Sequence, residues 1–413
     1  MHERRTGYVI DRGWREAVSS LHNRDFRFFW LSSIFSFTGM QTGMVVRSWL
    51  VYDLTDSSTY LGLVSATSAL PMIIFALPGG IIADRVAKRN LLIITQLATF
   101  AVAFALAVLI AGGWIDVWQI FVATFLAGAF FSLNVPGRMA MVAELVKPDQ
   151  LMNAIAVNSA GSNATRMLAP AAAGLLVGAI GIGSTYFVYA FCYLLVVVTL
   201  LAIPNTANAR IGKTTMYQDA LEGLGYMRNN RVLMALLVFA VVPALFAMPY
   251  QMLMPVFARD VLKVGAAGLG MLLGIVGLGA VIGSAFVALL GGFKHRGLLS
   301  LLAGTAFGST LILFGLSRDF YLSLAILILL GTASAVFNAI NNTMILSIVP
   351  DELKGRVMGV FMASWGLMPL GTLPAGVLAD IIGAPLTIVF AGSLTTLISL
   401  GGLLFVPSVR RLK

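Results

Sequence analysis

Long apolar runs separated by short polar breaks organise this chain. The runs fall near 27–50, 59–83, 90–111, 117–142, 151–180, 183–203, 232–257, 266–291, 298–316, 321–347, 355–380 and 384–406. Each approaches or exceeds the ~20 residues that cross a ~30 Å hydrocarbon core at 1.5 Å rise per residue. Lipid offers the backbone no hydrogen-bond partners, so runs of this length and apolarity are predicted to be helices. The ten-residue apolar/polar alternation of a membrane barrel is absent. The expected fold is an all-α polytopic membrane protein with twelve transmembrane helices.

The longest break, Pro204 to Arg231, divides the runs six and six. The predicted organisation is an N-terminal segment 1–26, a six-helix bundle 27–203, a linker 204–231, a second bundle 232–406 and a tail 407–413. Ile10, Trp14, Ala17, Val18 and Leu21 recur at helical spacing, as do Tyr217, Leu221, Leu224 and Met227, which predicts interfacial helices before the first run and within the linker. The halves also resemble each other. Pro148, Asp149, Leu151 and Gly174 each precede Pro350, Asp351, Leu353 and Gly376 by the same interval. A repeat of six helices keeps its direction, giving parallel bundles on either side of a central path.

Composition agrees with a membrane chain: 59% of residues are apolar, 11% are charged and the mean hydropathy is +0.93, where soluble domains carry about 25% charged residues. The net charge of +10 reports orientation rather than nucleic-acid binding. With the N-terminus inside, 22 of the 27 Lys and Arg lie on the cytoplasmic side; Arg259, Lys263 and Arg318 lie outside, and Arg47 and Arg166 lie within runs. That asymmetry is the positive-inside pattern and places both termini in the cytoplasm. The arginine-rich first 25 residues have no continuous apolar core and do not read as a cleavable signal. The single cysteine, Cys192, forms no internal disulfide. Three histidines and one cysteine assemble no metal cluster, and no cofactor is expected. The sequence Gly277-Leu278-Gly279-Ala280-Val281-Ile282-Gly283 has the wrong spacing for a nucleotide loop and lies inside a helix-length run. No enzyme is predicted.

Two cations at bilayer depth are the clearest site candidates. Each costs at least ~2.5–3.5 kcal/mol on insertion scales, so Arg47 and Arg166 should meet a partner or a wet cavity. Gln41, Asn134, Asn163, Asn338 and Asn342 are further candidates for the cavity wall. No acid lies at the middle of a run. Glu144, with Arg138 nearby, and Asp53 are the candidates for a titrating group.

The turn between the second and third runs, Gly79-Gly80-Ile81-Ile82-Ala83-Asp84-Arg85-Val86-Ala87-Lys88-Arg89, resembles the helix 2–3 loop of the major facilitator superfamily, Gly-x-x-x-Asp-Arg-x-Gly-Arg-Arg. Gly80, Asp84, Arg85, Lys88 and Arg89 match, and Ala87 stands at the usual glycine. The resemblance implies two six-helix bundles in the major facilitator fold, and an Asp84 that latches one conformation by accepting hydrogen bonds from the other half. The fifth run resembles the antiporter motif of exporters in this superfamily: Pro170 and Gly174 match, and Ala156, Thr165, Ala169 and Ala173 are small substitutes. Asn23 to Trp30, Trp49 to Thr55, Glu144 to Val146 and Asn153 to Ser159 are similar to the branch that holds macrolide and tetracycline drug:proton antiporters and the enterobactin exporter.

The resemblance implies a monomeric carrier in a bacterial-type cytoplasmic membrane that exports small amphipathic molecules or drugs by alternating access, in exchange for protons. Its partners would be a small-molecule substrate, protons and membrane lipids, with no nucleic acid. A carrier specific for siderophores or lysophospholipids is the alternative, because Arg166 suits anionic cargo. A receptor or regulator on the same scaffold is a third reading.

Overall fold

The computed structural model describes residues 19–204, 225, 230–289, 295–350, 353, 357 and 368–410. The first helices are α1 Arg24–Thr55, α2 Ser58–Arg85, α3 Lys88–Ala111 and α4 Val117–Leu145. Helices α5 and α6 share the run Leu151–Leu201, which breaks at Gly181 (φ 81°, ψ 167°). At 1.5 Å per residue that run would measure roughly 75 Å if straight, more than twice a hydrocarbon core. The left-handed backbone at Gly181, unfavourable for a residue with a Cβ, separates the two spans. Helix α7 runs from Arg231–Val242 through π-helical turns at Pro243–Ala247 and Phe257–Val261 that flank Tyr250–Val256. Then follow α8 Gly265–Leu289, α9 Arg296–Leu316, α10 Phe320–Ile348, α11 Met368–Ile382 and α12 Ala384–Phe405.

The described part of each predicted run falls on one of these helices, and most of 355–367 in the eleventh run lies outside the described residues. Eight of the described runs are long and apolar enough to cross a membrane, and the run through 148–201 carries two helices. Most of the predicted interfacial helices, at residues 1–18 and Tyr217–Met227, lie outside the described residues.

Polar residues set several helix starts. Asn23 Oδ1 accepts from the amides of Asp25 and Phe26, and its Nδ2 donates to the Leu145 carbonyl at 2.7 Å. One side chain thus caps α1 and fastens it to the end of α4. Asp116 and Gln119 form a capping box on α4, and Asp319 caps α10.

The apolar core divides by level. At the end holding the α1/α2 turn, one continuous cluster joins both halves of the chain, from Val45, Leu61 and Ala173 to Leu253, Leu269 and Phe314. At the opposite end the described core splits. One cluster, built on Phe26, Phe29, Leu92, Met141 and Leu200, belongs to the first half. The other, built on Leu233, Leu301, Phe337 and Ile345, belongs to the second. The halves pack together at the α1/α2 end and keep separate apolar cores at the other.

Candidate functional site

Two polar clusters join the halves at the α1/α2 end. Asp380, near the end of α11, accepts from Ser57 Oγ at 2.6 Å, the Ser58 amide at 2.7 Å and the Thr59 amide at 3.0 Å. These amides are among the free donors that begin α2, so Asp380 caps that helix from the other half of the chain. Beside it, Arg259 at the end of α7 pairs with Asp56 at 2.6 Å and reaches Asp53 at 4.0 Å. Its Nη1 donates to the Tyr52 carbonyl at 3.2 Å, and its guanidinium lies 5.3 Å from the Tyr52 ring centre. The Tyr52 hydroxyl donates to Asp260. Asp53, a candidate for proton coupling, is therefore placed within this polar seal.

Close helix contact completes the closure. A Cβ added at Gly174 of α5 would come within 2.5 Å of the Ala266 carbonyl oxygen and Gly270 Cα of α8, and the Pro170 carbonyl faces Gly270 as closely. Ala169 and Pro170 are buried. The small residues that resemble the antiporter motif thus include the face that meets α8. Gly376 of α11 makes the corresponding contact with the Ser58 carbonyl of α2.

Below this seal lies a cavity of about 300 Å³, the lower end of small-molecule pockets. Both halves line it. Met44, Met72, Met248, Met252 and Met368 form much of its wall, and Arg47, Ser48, Ser65, Ser68 and Gln251 supply the polar groups. Flexible thioether side chains suit an irregular apolar ligand. Met248, Gln251 and Met252 reach the wall from the segment just after the first π-turn of α7; such bulges are frequent at functional sites. Among the described residues Arg47 is the sole charged one lining the cavity, and no ion pair holds it.

Arg166 lies outside that wall. It precedes Ala173 by seven residues and Val177 by eleven, which puts all three on one stripe of α5. Ala173 and Val177 are buried in the core shared by both halves, whereas the Arg166 side chain is exposed at a level where the α5 backbone still packs on Gly277 of α8. Asn163 is exposed one turn away, and Gln41 is half-buried on α1.

Asn134 belongs to a buried network inside the first half. Its Nδ2 donates to Thr95 Oγ1 at 3.0 Å, while its Oδ1 accepts from Arg138 Nε at 3.3 Å. Arg138 Nη1 donates to Ser33 Oγ at 2.8 Å, and the guanidinium sits 5.7 Å from the Phe29 ring centre. Asn338 donates to the Ser334 carbonyl of its own helix, and Asn342 is exposed. Glu144 pairs with Lys88 at 3.2 Å rather than with Arg138. Arg89 donates to the Leu200 and Leu201 carbonyls, both at 3.1 Å, capping the end of α6. Both contacts stay within the first half. The side chains of Gly80, Asp84 and Arg85 lie outside the described residues.

A family model described as transmembrane secretion effector matches residues 16–410. The chain belongs to that family, within the major facilitator superfamily. It is similar to the staphyloferrin A transporter of Staphylococcus aureus, 23% identical over 376 residues that cover 91% of this chain and 94% of the relative. It is also similar to macrolide efflux protein A of Streptococcus pyogenes, 21% identical over 374 residues covering 87% and 91%. The crystal structure of the nucleoside transporter NupG superposes with a TM-score of 0.72 at 12% identity, over 94% of this chain and 99% of that one. That likeness speaks for the fold alone: twelve helices in two six-helix bundles. The protein is a multi-pass membrane transporter of small molecules, not an enzyme.

Sequence reasoning missed Asp380, Arg259 and Asp260 as a seal, and the methionine wall of the cavity. The acids were visible near run ends, but their partners lie across the chain. The methionines are indistinguishable in sequence from those facing lipid.

Proposed function

We propose that this transporter exports small amphipathic molecules by alternating access, in exchange for protons, with both termini in the cytoplasm. The positive-inside pattern turns the α1/α2 end outward. The described conformation is then sealed toward the outside and parted toward the cytoplasm, ready to load cargo from within. The observation that carries this reading is the methionine-lined cavity between the halves, covered at the α1/α2 end by polar clusters and glycine contacts that can separate. Asp84 is the latch of the opposite state, closing the cytoplasmic side while the outer seal is open. Glu144, paired with Lys88, is the candidate for proton release near the cytoplasmic side, and Arg166, exposed on α5, the candidate for guiding cargo. The protein acts as a monomer in contact with membrane lipids.

A narrower cargo, acidic like a siderophore or lysophospholipid, is favoured by one observation. Among the described residues the cavity wall carries Arg47 and no carboxylate, whereas a cationic drug calls for the reverse charge.

Energised efflux from pump-deficient bacteria tests the reading. At matched membrane expression, wild type is expected to extrude acidic amphipathic dyes in a protonophore-sensitive manner, and Asp84→Asn to lose at least nine-tenths of that rate. A fully active, normally inserted Asp84→Asn protein contradicts the latch. Efflux indifferent to protonophore contradicts proton exchange.

A further inference from the structure

A second, much smaller cavity of about 10 Å³ opens inside the first half, lined by Arg47, Thr124 and Tyr186 among apolar neighbours such as Val102 and Leu106. Thr124 and Tyr186 are each only 1% exposed, and neither Thr124 Oγ1 nor the Tyr186 hydroxyl has a hydrogen-bond partner among the described residues. Buried hydroxyls left unpaired are uncommon and call for an occupant. Tyr189, which also lines the space, sets its ring edge-to-face on that of Tyr193, with centres 5.4 Å apart. Arg47 belongs to both walls, the small cavity and the 300 Å³ one.

The chemistry of the wall selects the occupant. A guanidinium only donates, and both hydroxyls are able to donate, so three donors converge on a space about the size of one oxygen atom. A water there would leave the arginine's charge uncompensated at bilayer depth. An oxyanion oxygen accepts from all three groups and supplies the missing charge. The space is too small for a whole organic acid, but Arg47 joins it to the cavity where the remainder would fit.

We propose that Arg47, Thr124 and Tyr186 form an oxyanion site that takes one oxygen of a carboxylate, with the ligand's apolar body lying against the methionines of the central cavity. This rests on the export reading for the ligand's being cargo, and not for its binding. It explains why the cavity needs no acid of its own: the cargo brings the counter-charge. It also makes the interior of the first half sense loading, because Tyr189 and Tyr193 of the same helix pack on Gly43 and Gly39 of α1.

The test uses the full chain in lipid nanodiscs, titrated calorimetrically with benzoate and with benzamide, which has the same shape and no charge. Benzoate is expected to bind saturably and at least tenfold more tightly than benzamide. Tyr186→Phe, which keeps the ring, and Thr124→Val, which keeps the volume, should each weaken benzoate at least threefold, and Arg47→Gln should abolish its binding. Formate, a free anion of the same chemistry, is expected to compete with benzoate. Equal or absent binding of benzoate and benzamide overturns the site, as does unchanged benzoate affinity in Tyr186→Phe. Formate that binds through Tyr186 without displacing benzoate overturns the assignment to cargo. No flux is read, so failure of the site and failure of the export reading are told apart.

Discussion

Asp380 is the residue on which closure of the α1/α2 end turns most directly. It performs the work of a helix cap from another part of the chain, and removal of such a cap costs about 1–2 kcal/mol, roughly a five- to thirtyfold change in an equilibrium. The neighbouring Arg259–Asp56 pair is partly exposed, with side chains 34% and 73% accessible, and exposed pairs contribute about 0–1 kcal/mol. Asp380→Ala is therefore expected to open the α1/α2 end more than Arg259→Gln does. Cross-linking between cysteines in the α1/α2 turn and near the α11/α12 turn, in a Cys192→Ser background, should fall at least fivefold in the first variant. An equal or smaller fall than in Arg259→Gln would contradict the ranking. At this scale the sequence was partly legible. Arg47 stood out because a charge at bilayer depth demands an explanation. Thr124 and Tyr186 did not, since hydroxyls are ordinary in such helices and only burial reveals that these two lack partners. Glu144 and Arg138 are six residues apart, about 600° of helix, which turns them to different faces; Glu144 meets Lys88 instead.

The elements themselves were the most legible level, because a bilayer forces long apolar runs into helices and charges mark their ends. The break between α5 and α6 falls at Gly181, inside the predicted gap between 180 and 183. The π-turns of α7 were not readable: prolines at 243, 249 and 255 mark disruption but not which hydrogen-bond pattern replaces the helix. The seam of α5 against α8 yields an element-scale prediction. Because even a methyl group at Gly174 would overlap the α8 backbone, Gly174→Val is expected to drive α5 and α8 apart and disfavour the state closed at the α1/α2 end. Hydrogen exchange should quicken at least tenfold near Gly265–Gly274 while remaining unchanged in α9 and α12. Unchanged exchange at the seam would contradict the close packing assigned there.

Across the whole molecule, the arrangement of the core defines a direction. One apolar cluster fuses the halves at the α1/α2 end, while separate clusters hold each half together at the other. Opening the α1/α2 end requires parting that shared cluster together with the polar contacts and glycine seams, while the separate clusters at the other end stay intact. The equal spacing of Gly174 and Gly376 foreshadowed this, since both occupy the same kind of inter-half contact. The level of closure did not follow from sequence, because alternating states use the same residues and differ in which contacts are made. Export driven by protons is the central claim. Purified protein in proteoliposomes, supplied with an amphipathic carboxylate and then given an imposed pH gradient, tests it with no other transporter present. The account predicts cargo movement opposite to the proton gradient, collapsed by protonophore and at least tenfold slower in Asp84→Asn. Movement that ignores the gradient, or none for acidic and neutral compounds alike, would contradict it.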